Sequence, residues 1–186
     1  MTTYYNINPQ FYVSVDCIIF GFDKGSLKLL LLKRNFEPAK GSWSLMGGFV
    51  QDGESVDDAA KRVLAELTGL ENVYMEQVGT FGEVDRDPGE RVISVAYYAL
   101  ININEYDRNL VQQHNAHWAE INEIPPLVFD HPQMVKQARI MLQKKASSEP
   151  IGFNLLPSLF TLFQLQSLYE AIYVTAQRIK EQTALI

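Results

Sequence analysis

The residues best suited to chemistry lie between Gly47 and Leu70. Gly47 and Gly48 end a strand-like run, residues 51–54 form an acidic loop, and a helical pattern begins after Ser55. A helix placed in this way can present several carboxylates to a metal ion bound to a diphosphate. This helix retains few of those carboxylates. We therefore expect the loop geometry to be kept and the metal chemistry to be lost.

The helix after this loop has clear signals at both ends. Ser55 is predicted to be the N-cap, and Asp58 completes a capping box three residues later. Gly69 is a typical helix stop. Between them, apolar residues recur at helical spacing and predict one buried face, formed by Val56, Ala59, Ala60, Val63, Leu64 and Leu67.

Periodicity predicts the elements that must position this stretch. Residues 11–22 alternate, with Val15 and Cys17 on one face of a strand and Ser14 and Asp16 on the other. Further strands are predicted at residues 27–32, 42–50, 73–81, 91–103 and 117–121, and a second helix from residue 130 or 131 to 147. This order predicts an α/β (α+β) fold with a sheet layered between helices.

The composition is that of a globular protein. Of the 186 residues, 47% are hydrophobic and 20% are charged, so a sizeable core can be buried. No apolar run is long enough to span a membrane, and residues 1–6 lack the features of a signal peptide. Cys17 is the single cysteine and has no internal disulfide partner. A cytoplasmic location is therefore expected.

The charge is distributed unevenly along the chain. The net charge is −6, but the acidic excess lies in residues 1–130, and residues 131–186 are net basic. An acidic body with a basic end can indicate contact with nucleic acid. Chance unevenness in a short segment explains the pattern equally well.

The stretch from Gly48 to Leu70 resembles the Nudix box, a signature of hydrolases that cleave nucleoside diphosphates linked to another group. The matching residues stand in register with the family pattern: Gly48, Glu54, Arg62, Leu64, Glu66, Gly69 and Leu70. With the flanking strands, the resemblance covers roughly residues 10–145. It implies a Nudix α/β/α sandwich with a mixed sheet.

Most of the metal-binding carboxylates that this resemblance implies are absent. The family places glutamates at i, i+3 and i+4, where one helix face presents them to Mg²⁺ or Mn²⁺. Here these positions are Val63, Glu66 and Leu67. We therefore expect no metal site, no cofactor and no catalytic residues, and we expect Val63 and Leu67 to form an apolar patch on the cleft floor. The alternative is a catalytic carboxylate from the acidic loop at residues 82–90, although such a run is ordinarily solvated.

A Nudix domain without these carboxylates, followed by a helical unit, is similar to the NrtR-like transcriptional regulators of bacteria. These regulators join a degenerate Nudix domain to a C-terminal winged helix-turn-helix. Further matches lie at residues 79–82, 85–88 and 91–98, and at residues 155–157, 160–162, 164–166 and 168–171. The resemblance implies an effector domain at 1–147, a linker at 148–152 and a winged-helix domain at 153–186.

The C-terminal unit departs from that family. Thr161 and Gln164 form a second predicted capping box, and a short further helix is predicted to begin near Thr175. This helix would carry the candidate DNA-binding residues, although a solvated helix face is nearly as good an explanation for them: Gln177, Arg178 and Lys180. Residues 151–186 are too few for a winged helix with its wing. Either the chain is incomplete or the domain is reduced.

The resemblance implies a repressor that binds operator DNA as a homodimer, responds to a small-molecule effector and has no membrane contact. Effectors in the family include ADP-ribose and sugars such as arabinose. Sugars are bound by aromatic faces and charged hydrogen-bonding groups, for which the candidates are Tyr12, Asp16, Arg34, Trp43, Glu66 and Arg86. Because the acidic body offers few basic groups for a diphosphate, the sequence slightly favours a sugar.

Other interpretations stay open at the level of sequence. An active Nudix hydrolase would cleave ADP-ribose or a nucleotide sugar, whereas a domain that binds only protein partners would need neither DNA nor nucleotide. The effector candidates also have ordinary structural explanations. Trp43 and Tyr12 could belong to the core, Arg34 to the surface, and Asp16 to a turn or an ion pair.

Overall fold

A computed structural model describes residues 7–104 and 108–183, with the backbone alone for residues 108, 110 and 174–183. In chain order the elements are β1 (Tyr12–Asp23), β2 (Ser26–Lys33), β3 (Trp43–Ser44), β4 (Met46–Phe49), α1 (Val56–Thr68), β5 (Tyr74–Phe81), β6 (Val92–Ile101), α2 (Arg108–Gln113), β7 (Ala116–Glu120), α3 (His131–Ser148), α4 (Gly152–Leu155) and α5 (Leu162–Thr183).

The strands form one mixed sheet. Its order is β3-β2-β1-β6-β5, with β4 also paired to β1 and β7 also paired to β2. β1 and β6 run parallel, and the other pairs are antiparallel. β1 therefore lies at the centre of the sheet, and its residues from Val15 to Phe22 are buried. The expected mixed-sheet α/β/α architecture is confirmed.

The two faces of β1 pack against different helices. Val15 and Cys17 belong to the core cluster that contains the apolar face of α1. Ile18 and Phe20 belong to the cluster that contains α3, α4 and the start of α5. Since side chains alternate along a strand, Asp16 faces the α3 side together with Ile18. The carboxylate of a central strand thus lies beside the beginning of α3.

The boundaries of α1 follow from its sequence. The Ser55 hydroxyl accepts a hydrogen bond from the Asp58 backbone N–H at 3.1 Å, as the predicted capping box requires. At the other end, Gly69 has a φ of 71° and its N–H donates to the Ala65 carbonyl. A glycine adopts this left-handed conformation at little cost. Both predicted ends of α1 are confirmed.

The single strand predicted at residues 42–50 is wrong. Its residues form β3, which pairs with β2, and β4, which pairs with β1. The interruption falls at Leu45, whose backbone N–H donates to Nδ1 of His131 at 3.0 Å. A hydrogen bond to a side chain 86 residues away thus replaces a bond within the sheet. The short helices α2 and α4 were also not predicted.

The prediction of a separate helix near Thr175 is wrong as well. α5 runs unbroken from Leu162 to Thr183, because no glycine or proline interrupts this stretch. Its predicted capping box is confirmed: the Thr161 N–H donates to the Gln164 side chain at 2.8 Å, and the Gln164 N–H donates to the Thr161 hydroxyl at 3.2 Å.

The helical C-terminal unit shares a hydrophobic core with the sheet. Leu155, Leu168 and Ile172 lie in the same buried cluster as Phe20 of β1 and Met134 of α3. Residues 149–151 separate α3 from α4, so the first and last residues of the linker predicted at 148–152 lie in these helices. None of the described helices is both long and apolar enough to cross a membrane.

Candidate functional site

A cavity of about 380 Å³ opens beside the N-terminal half of β1. β1, β4, two loops and the beginning of α3 surround it, and its lining mixes charged groups with aromatic and aliphatic surface. The lining residues are Ser14, Asp16, Leu32, Arg34, Phe36, Glu37, Pro38, Ser44, Leu45, Gly47, Gly48, Phe49, Arg86, Asp87, Val92, Phe129 and His131. Three sequence-predicted effector residues, Asp16, Arg34 and Arg86, therefore meet here.

Asp16 occupies the floor of this cavity because β4 approaches β1 very closely. A Cβ atom on Gly47 would lie 2.5 Å from Asp16 Oδ1 and 2.7 Å from the Val15 carbonyl oxygen. The glycine therefore makes room for the carboxylate. On the other side, the Ser94 hydroxyl of β6 donates to Asp16 Oδ2 at 2.6 Å. Asp16 is only 8% exposed, so its orientation is fixed by these neighbours.

Arg86 crosses the cavity wall to reach the beginning of α3. Its Nε and Nη2 donate to the two carboxylate oxygens of Asp130 at 2.9 and 2.8 Å, a bidentate pair. Nη2 also lies 3.5 Å from Asp16 Oδ2. Burial alone would lower the pKa of Arg86, but hydrogen bonds to Asp130 and the nearby carboxylates raise it above its ordinary value. Arg86 therefore stays charged.

His131 is the third buried polar group of this cluster. Its Nδ1 accepts the Leu45 backbone N–H, so the proton of the neutral ring resides on Nε2, which lies 3.7 Å from Asp16 Oδ1. Burial lowers the pKa of His131, against the opposing effect of Asp16 and Asp130. His131 is therefore a neutral hydrogen-bonding group at physiological pH.

Arg34 forms a different kind of wall. Its guanidinium lies over the Phe36 ring at 4.3 Å and over the Phe129 ring at 5.3 Å, and its Nε donates to the Pro38 carbonyl at 2.8 Å. Burial lowers the pKa of Arg34, while Asp87, Asp16 and Glu37 oppose this effect. Together these groups provide a planar, partly apolar wall with hydrogen-bonding groups nearby, which suits a sugar ring.

The Nudix-like helix offers no metal-binding carboxylate cluster. Val63 and Leu67 are buried in the core between α1 and the sheet. They do not line the cavity, so the predicted apolar patch on the cleft floor is wrong: helix periodicity turns both residues inward. Within residues 7–104 and 108–183, no group of three or more histidine, cysteine or acidic side chains could hold a metal ion.

The two glutamates in register with the Nudix box, Glu54 and Glu66, are paired with Arg62. Its Nε and Nη2 donate to Glu54 at 3.0 and 2.7 Å, and Nη2 also donates to the Phe49 carbonyl. Glu66 accepts from Arg62 Nη1 at 3.4 Å. The Arg62 hydrogen bonds hold the pKa of Glu54 below its usual range. An arginine thus holds these carboxylates together, and the donor set does not fit a divalent ion bound to a diphosphate.

Three predicted effector residues lie outside the cavity. Tyr12 is 57% exposed, and its ring centroid is 5.5 Å from that of Phe49 at the rim. Trp43 packs edge-on against His117 with a centroid distance of 5.5 Å. The Glu66 side chain is 57% exposed on α1. Trp43 was predicted as an aromatic face for a sugar, but its ring packs against His117 and does not line the cavity.

The candidate DNA-binding residues lie on the distal part of α5. For Gln177, Arg178 and Lys180 the structure describes the helical backbone, and their side chains lie outside the described part. The assignment of these residues therefore stays a prediction.

Several cavity residues were not predicted from the sequence. Phe36, Phe129 and His131 line the cavity, and Asp130, the N-cap residue of α3, holds Arg86 from outside the lining. The only sequence signal was the polar pair at residues 130 and 131, which was interpreted as a helix start. Their contact with Asp16 depends on long-range packing that periodicity does not reveal.

Comparisons with known proteins identify both parts of the chain. The Nudix domain family model matches residues 10–141, and the model of the NrtR DNA-binding winged helix domain matches residues 152–178. The chain is 36% identical over 168 residues to the ADPR responsive transcriptional repressor NtrR of Acinetobacter baylyi, covering 88% of this chain and 67% of that protein. It is also 36% identical over 124 residues to an ADP-ribose pyrophosphatase of Methanocaldococcus jannaschii, covering 67% and 70%.

Solved structures agree with this assignment. The crystal structure of Shewanella oneidensis NrtR superimposes with a TM-score of 0.80 at 30% identity, covering 91% of this chain and 85% of that one. The same protein complexed with a 27mer DNA gives 0.77 at 30% identity, covering 91% and 82%. Its NUDIX domain complexed with ADP ribose gives 0.58 at 29% identity, covering 75% and 93%. The chain therefore belongs to the NrtR-like family of transcriptional regulators, which join a Nudix domain to a DNA-binding winged helix domain.

Proposed function

We propose that this protein is a transcriptional repressor whose Nudix domain binds a small-molecule effector and does not hydrolyse it. One observation carries the proposal. The fold keeps a built cavity at the glycine pair, while Val63 and Leu67 fill two metal-carboxylate positions with buried apolar side chains. Hydrolysis by a Nudix box needs clustered oxygen ligands for a divalent ion, and Arg62 holds the carboxylates that remain.

The proposed effector presents a pentose ring to the cavity. Asp16 and His131 offer acceptor and donor groups on the floor, and Arg34 with Phe36 and Phe129 offers a planar wall. Such a ring has two possible sources. ADP-ribose is supported by the likeness to the ADPR responsive repressor of Acinetobacter and to the Shewanella NUDIX domain complexed with ADP ribose. A free pentose such as arabinose is supported by the acidic character of the cavity.

The DNA-binding part of the proposal concerns α5 and a homodimer. Gln177, Arg178 and Lys180 are the residues proposed to contact operator DNA, with arginine and lysine directed at phosphates. A two-fold homodimer would match a palindromic operator with half-sites about one helical turn, or a multiple of it, apart. The likeness to the Shewanella protein complexed with a 27mer DNA supports binding to DNA.

α3 offers a direct route between the cavity and α5. Its first turn supplies Asp130 and His131 to the cavity cluster, and near its other end Gln143 Nε2 donates to the Ile172 carbonyl of α5 at 3.0 Å. Effector control requires that the ligand bind the DNA-competent and DNA-incompetent forms with different affinity. A shift of α3 would move Asp130 and His131 at the cavity and also the contact of Gln143 with α5.

A gel shift tests the proposal directly. The full chain is incubated with DNA from upstream of its own gene, at low salt, with and without arabinose, xylose and ADP-ribose. The expected result is a shifted band whose intensity changes with one of these compounds. Absence of a shift at low salt would contradict the repressor function.

The second candidate function is an ADP-ribose hydrolase, which the likeness to the Methanocaldococcus pyrophosphatase favours. It is tested by incubating the protein with Mg²⁺ or Mn²⁺ and ADP-ribose and following product formation. We expect background turnover in both the native protein and Glu66→Gln. Turnover in the native protein that disappears in Glu66→Gln would establish the hydrolase instead.

A further inference from the structure

A large apolar surface is exposed where α4 meets α5. Phe153 of α4 is 72% exposed, and Leu159 in the following loop is 89% exposed. In the first turn of α5, Leu162 and Phe163 are 83% and 76% exposed. Phe160 lies beside Phe153, with the two ring centroids 5.8 Å apart, and it packs against the buried core. These five residues form the α4–α5 apolar surface.

The segment that carries this surface has no charged side chain. From Pro150 to Tyr169 the sequence contains no acidic residue, lysine, arginine or histidine. A DNA phosphate or a charged protein partner would therefore find no opposite charge here. Helices that lie on membranes carry lysine and arginine on their polar face, and the first half of α5 has neither. The surface therefore suits a partner that is itself apolar and uncharged.

The side of α5 that packs on the protein is a different one. Leu168 and Ile172 lie in the core together with Leu155 of α4. Phe163 precedes Leu168 by five positions, so it lies on another face of the helix. The described part of the chain thus covers one side of α5 and leaves the α4–α5 apolar surface open to solvent.

The area of this surface matches one half of a dimer interface. At about 150 Å² for each large apolar side chain, the five residues offer roughly 600 Å² per copy, allowing for the partial burial of Phe160. Two copies in contact would bury about 1,200 Å² in total, which lies at the lower end of the range for specific interfaces. A monomer seldom exposes a larger contiguous apolar patch than about 600 Å².

We propose that a second copy of this chain covers the α4–α5 apolar surface in a two-fold contact, which rests on the homodimer of the proposed function and names its surface. A two-fold contact brings the same surface of both copies together. A surface without charge meets itself without like-charge repulsion, and aromatic side chains are enriched at the centre of protein interfaces.

This contact would also organise the DNA-binding ends of the dimer. α5 is unbroken from Leu162 to Thr183, so the backbone of Arg178 lies about 22 Å along the helix from Phe163, at about 1.5 Å per residue. A two-fold contact at the beginning of α5 would therefore fix the distance between the two proposed DNA-binding ends.

Analytical ultracentrifugation of the full chain at several concentrations measures the dimer Kd. Phe163→Arg places a charge within the surface at a well-exposed position, and Ile140→Arg, at a 53% exposed apolar position on α3, is the matched control. We expect a native dimer whose Kd rises by about 30-fold or more in Phe163→Arg, as for a hot-spot residue. Ile140→Arg should keep the native Kd. Circular dichroism checks that both variants are folded.

Cross-linking provides a second measurement that does not depend on weakening the contact. The single cysteine of the chain, Cys17, is buried, so a cysteine introduced at an exposed position is the accessible thiol. A short bis-maleimide should join two copies of Leu159→Cys. It should join few copies of Ile140→Cys, because that position lies outside the proposed surface.

The outcomes separate this surface from the rest of the proposed function. A monomeric native protein would overturn both the surface and the homodimer. A native dimer that Phe163→Arg weakens no more than Ile140→Arg, or equal cross-linking of the two cysteine variants, would overturn the surface and leave the homodimer in place. Effector affinity, measured by isothermal titration, should stay native in Phe163→Arg, because this residue does not line the cavity. A loss of effector affinity in that variant would count against a role confined to dimer contact.

Discussion

At the scale of single residues, the buried charges around Arg86 constrain the cavity most strongly. Arg86 contacts Asp130 and Asp16, and the Asp16 carboxylate is in turn approached by Ser94 and His131. A buried ionic cluster adds little net stability when complete, but removing one member leaves the others uncompensated. Changes at these residues should therefore affect stability and ligand binding together.

Arg86→Ala should destabilise the fold by about 3–5 kcal/mol, because two nearly buried carboxylates lose their cation. The free energy of unfolding is measured by urea denaturation followed by circular dichroism. Lys61→Ala, at an exposed position on α1, is the control and should stay within about 0.5 kcal/mol of the native protein. A loss for Arg86→Ala as small as that of the control would contradict the ionic cluster.

His131 predicts a pH dependence of stability. Its pKa in the folded protein is lowered from the ordinary 6.5 by burial. Below that pH the unfolded chain binds a proton that the folded chain excludes, so the free energy of unfolding decreases as the pH falls from 6.5 towards the folded-state pKa. Urea titrations between pH 7 and pH 5 measure this decrease. It should be smaller in His131→Asn, and an identical pH profile in the two proteins would be evidence against a neutral buried His131.

Two residues of this cluster, Asp16 and Arg86, were predicted from the sequence as effector-binding residues. The alternation of β1 placed Asp16 on the polar face of a strand, and the polar loops offered Arg34 and Arg86 as charged ligands for a sugar. Asp130 and His131 could not be found in this way, because they lie more than a hundred residues from Asp16 and meet it only through packing of α3 on the sheet. Hydrophobic periodicity predicts which face is buried but not which polar groups meet across it.

At the scale of secondary-structure elements, the close approach of β1 and β4 determines the shape of the cavity floor. Gly47→Ala would place a Cβ atom 2.7 Å from the Val15 carbonyl and 2.5 Å from Asp16 Oδ1. We expect a loss of about 1–3 kcal/mol in the free energy of unfolding, because backbone must shift, together with weaker effector binding. Thermal unfolding and isothermal titration measure the two effects.

Gly82→Ala is the matched control for this substitution. A Cβ atom at Gly82 meets only Ile93, at 3.9 Å, so stability and effector affinity should stay close to native. Equal behaviour of the two variants would show that the approach of β4 to β1 does not govern the site.

Local sequence signals predicted where α1 and α5 begin, but they did not predict the break between β3 and β4 or the full length of α5. The capping boxes at Ser55 and Thr161 are present because they depend only on residues three positions apart. The break between β3 and β4 was missed because it depends on a hydrogen bond from Leu45 to His131. The helix predicted near Thr175 reflected a possible cap within a segment that contains no helix breaker.

At the scale of the whole molecule, the sheet, α3 and the beginning of α5 form one buried cluster. A displacement of α3 by the effector would therefore reach α5 through contacts such as the hydrogen bond from Gln143 to the Ile172 carbonyl. Such coupling is a difference in binding free energy and acts equally in both directions. DNA should change effector affinity by the same factor as the effector changes DNA affinity.

Gln143→Ala should weaken this coupling while leaving the affinity for the effector alone unchanged. The expected reduction is about 0.5–2 kcal/mol of coupling free energy. It is obtained from effector titrations with and without operator DNA. Gln133→Ala, at an exposed position in the first turn of the same helix, should retain native coupling. If the coupling between effector binding and DNA binding is as strong in Gln143→Ala as in Gln133→Ala, α3 does not transmit the signal through this contact.

The most direct test of the central claim is the affinity for operator DNA, measured by fluorescence anisotropy as a function of effector concentration. Arabinose, ribose and ADP-ribose are titrated separately, and the recovered ligand is checked for cleavage. We predict that one of them changes the operator Kd by about 5–150-fold and is recovered intact. An operator Kd that no bound ligand changes, or metal-dependent cleavage of ADP-ribose, would contradict the account of a Nudix domain that senses an effector without hydrolysing it.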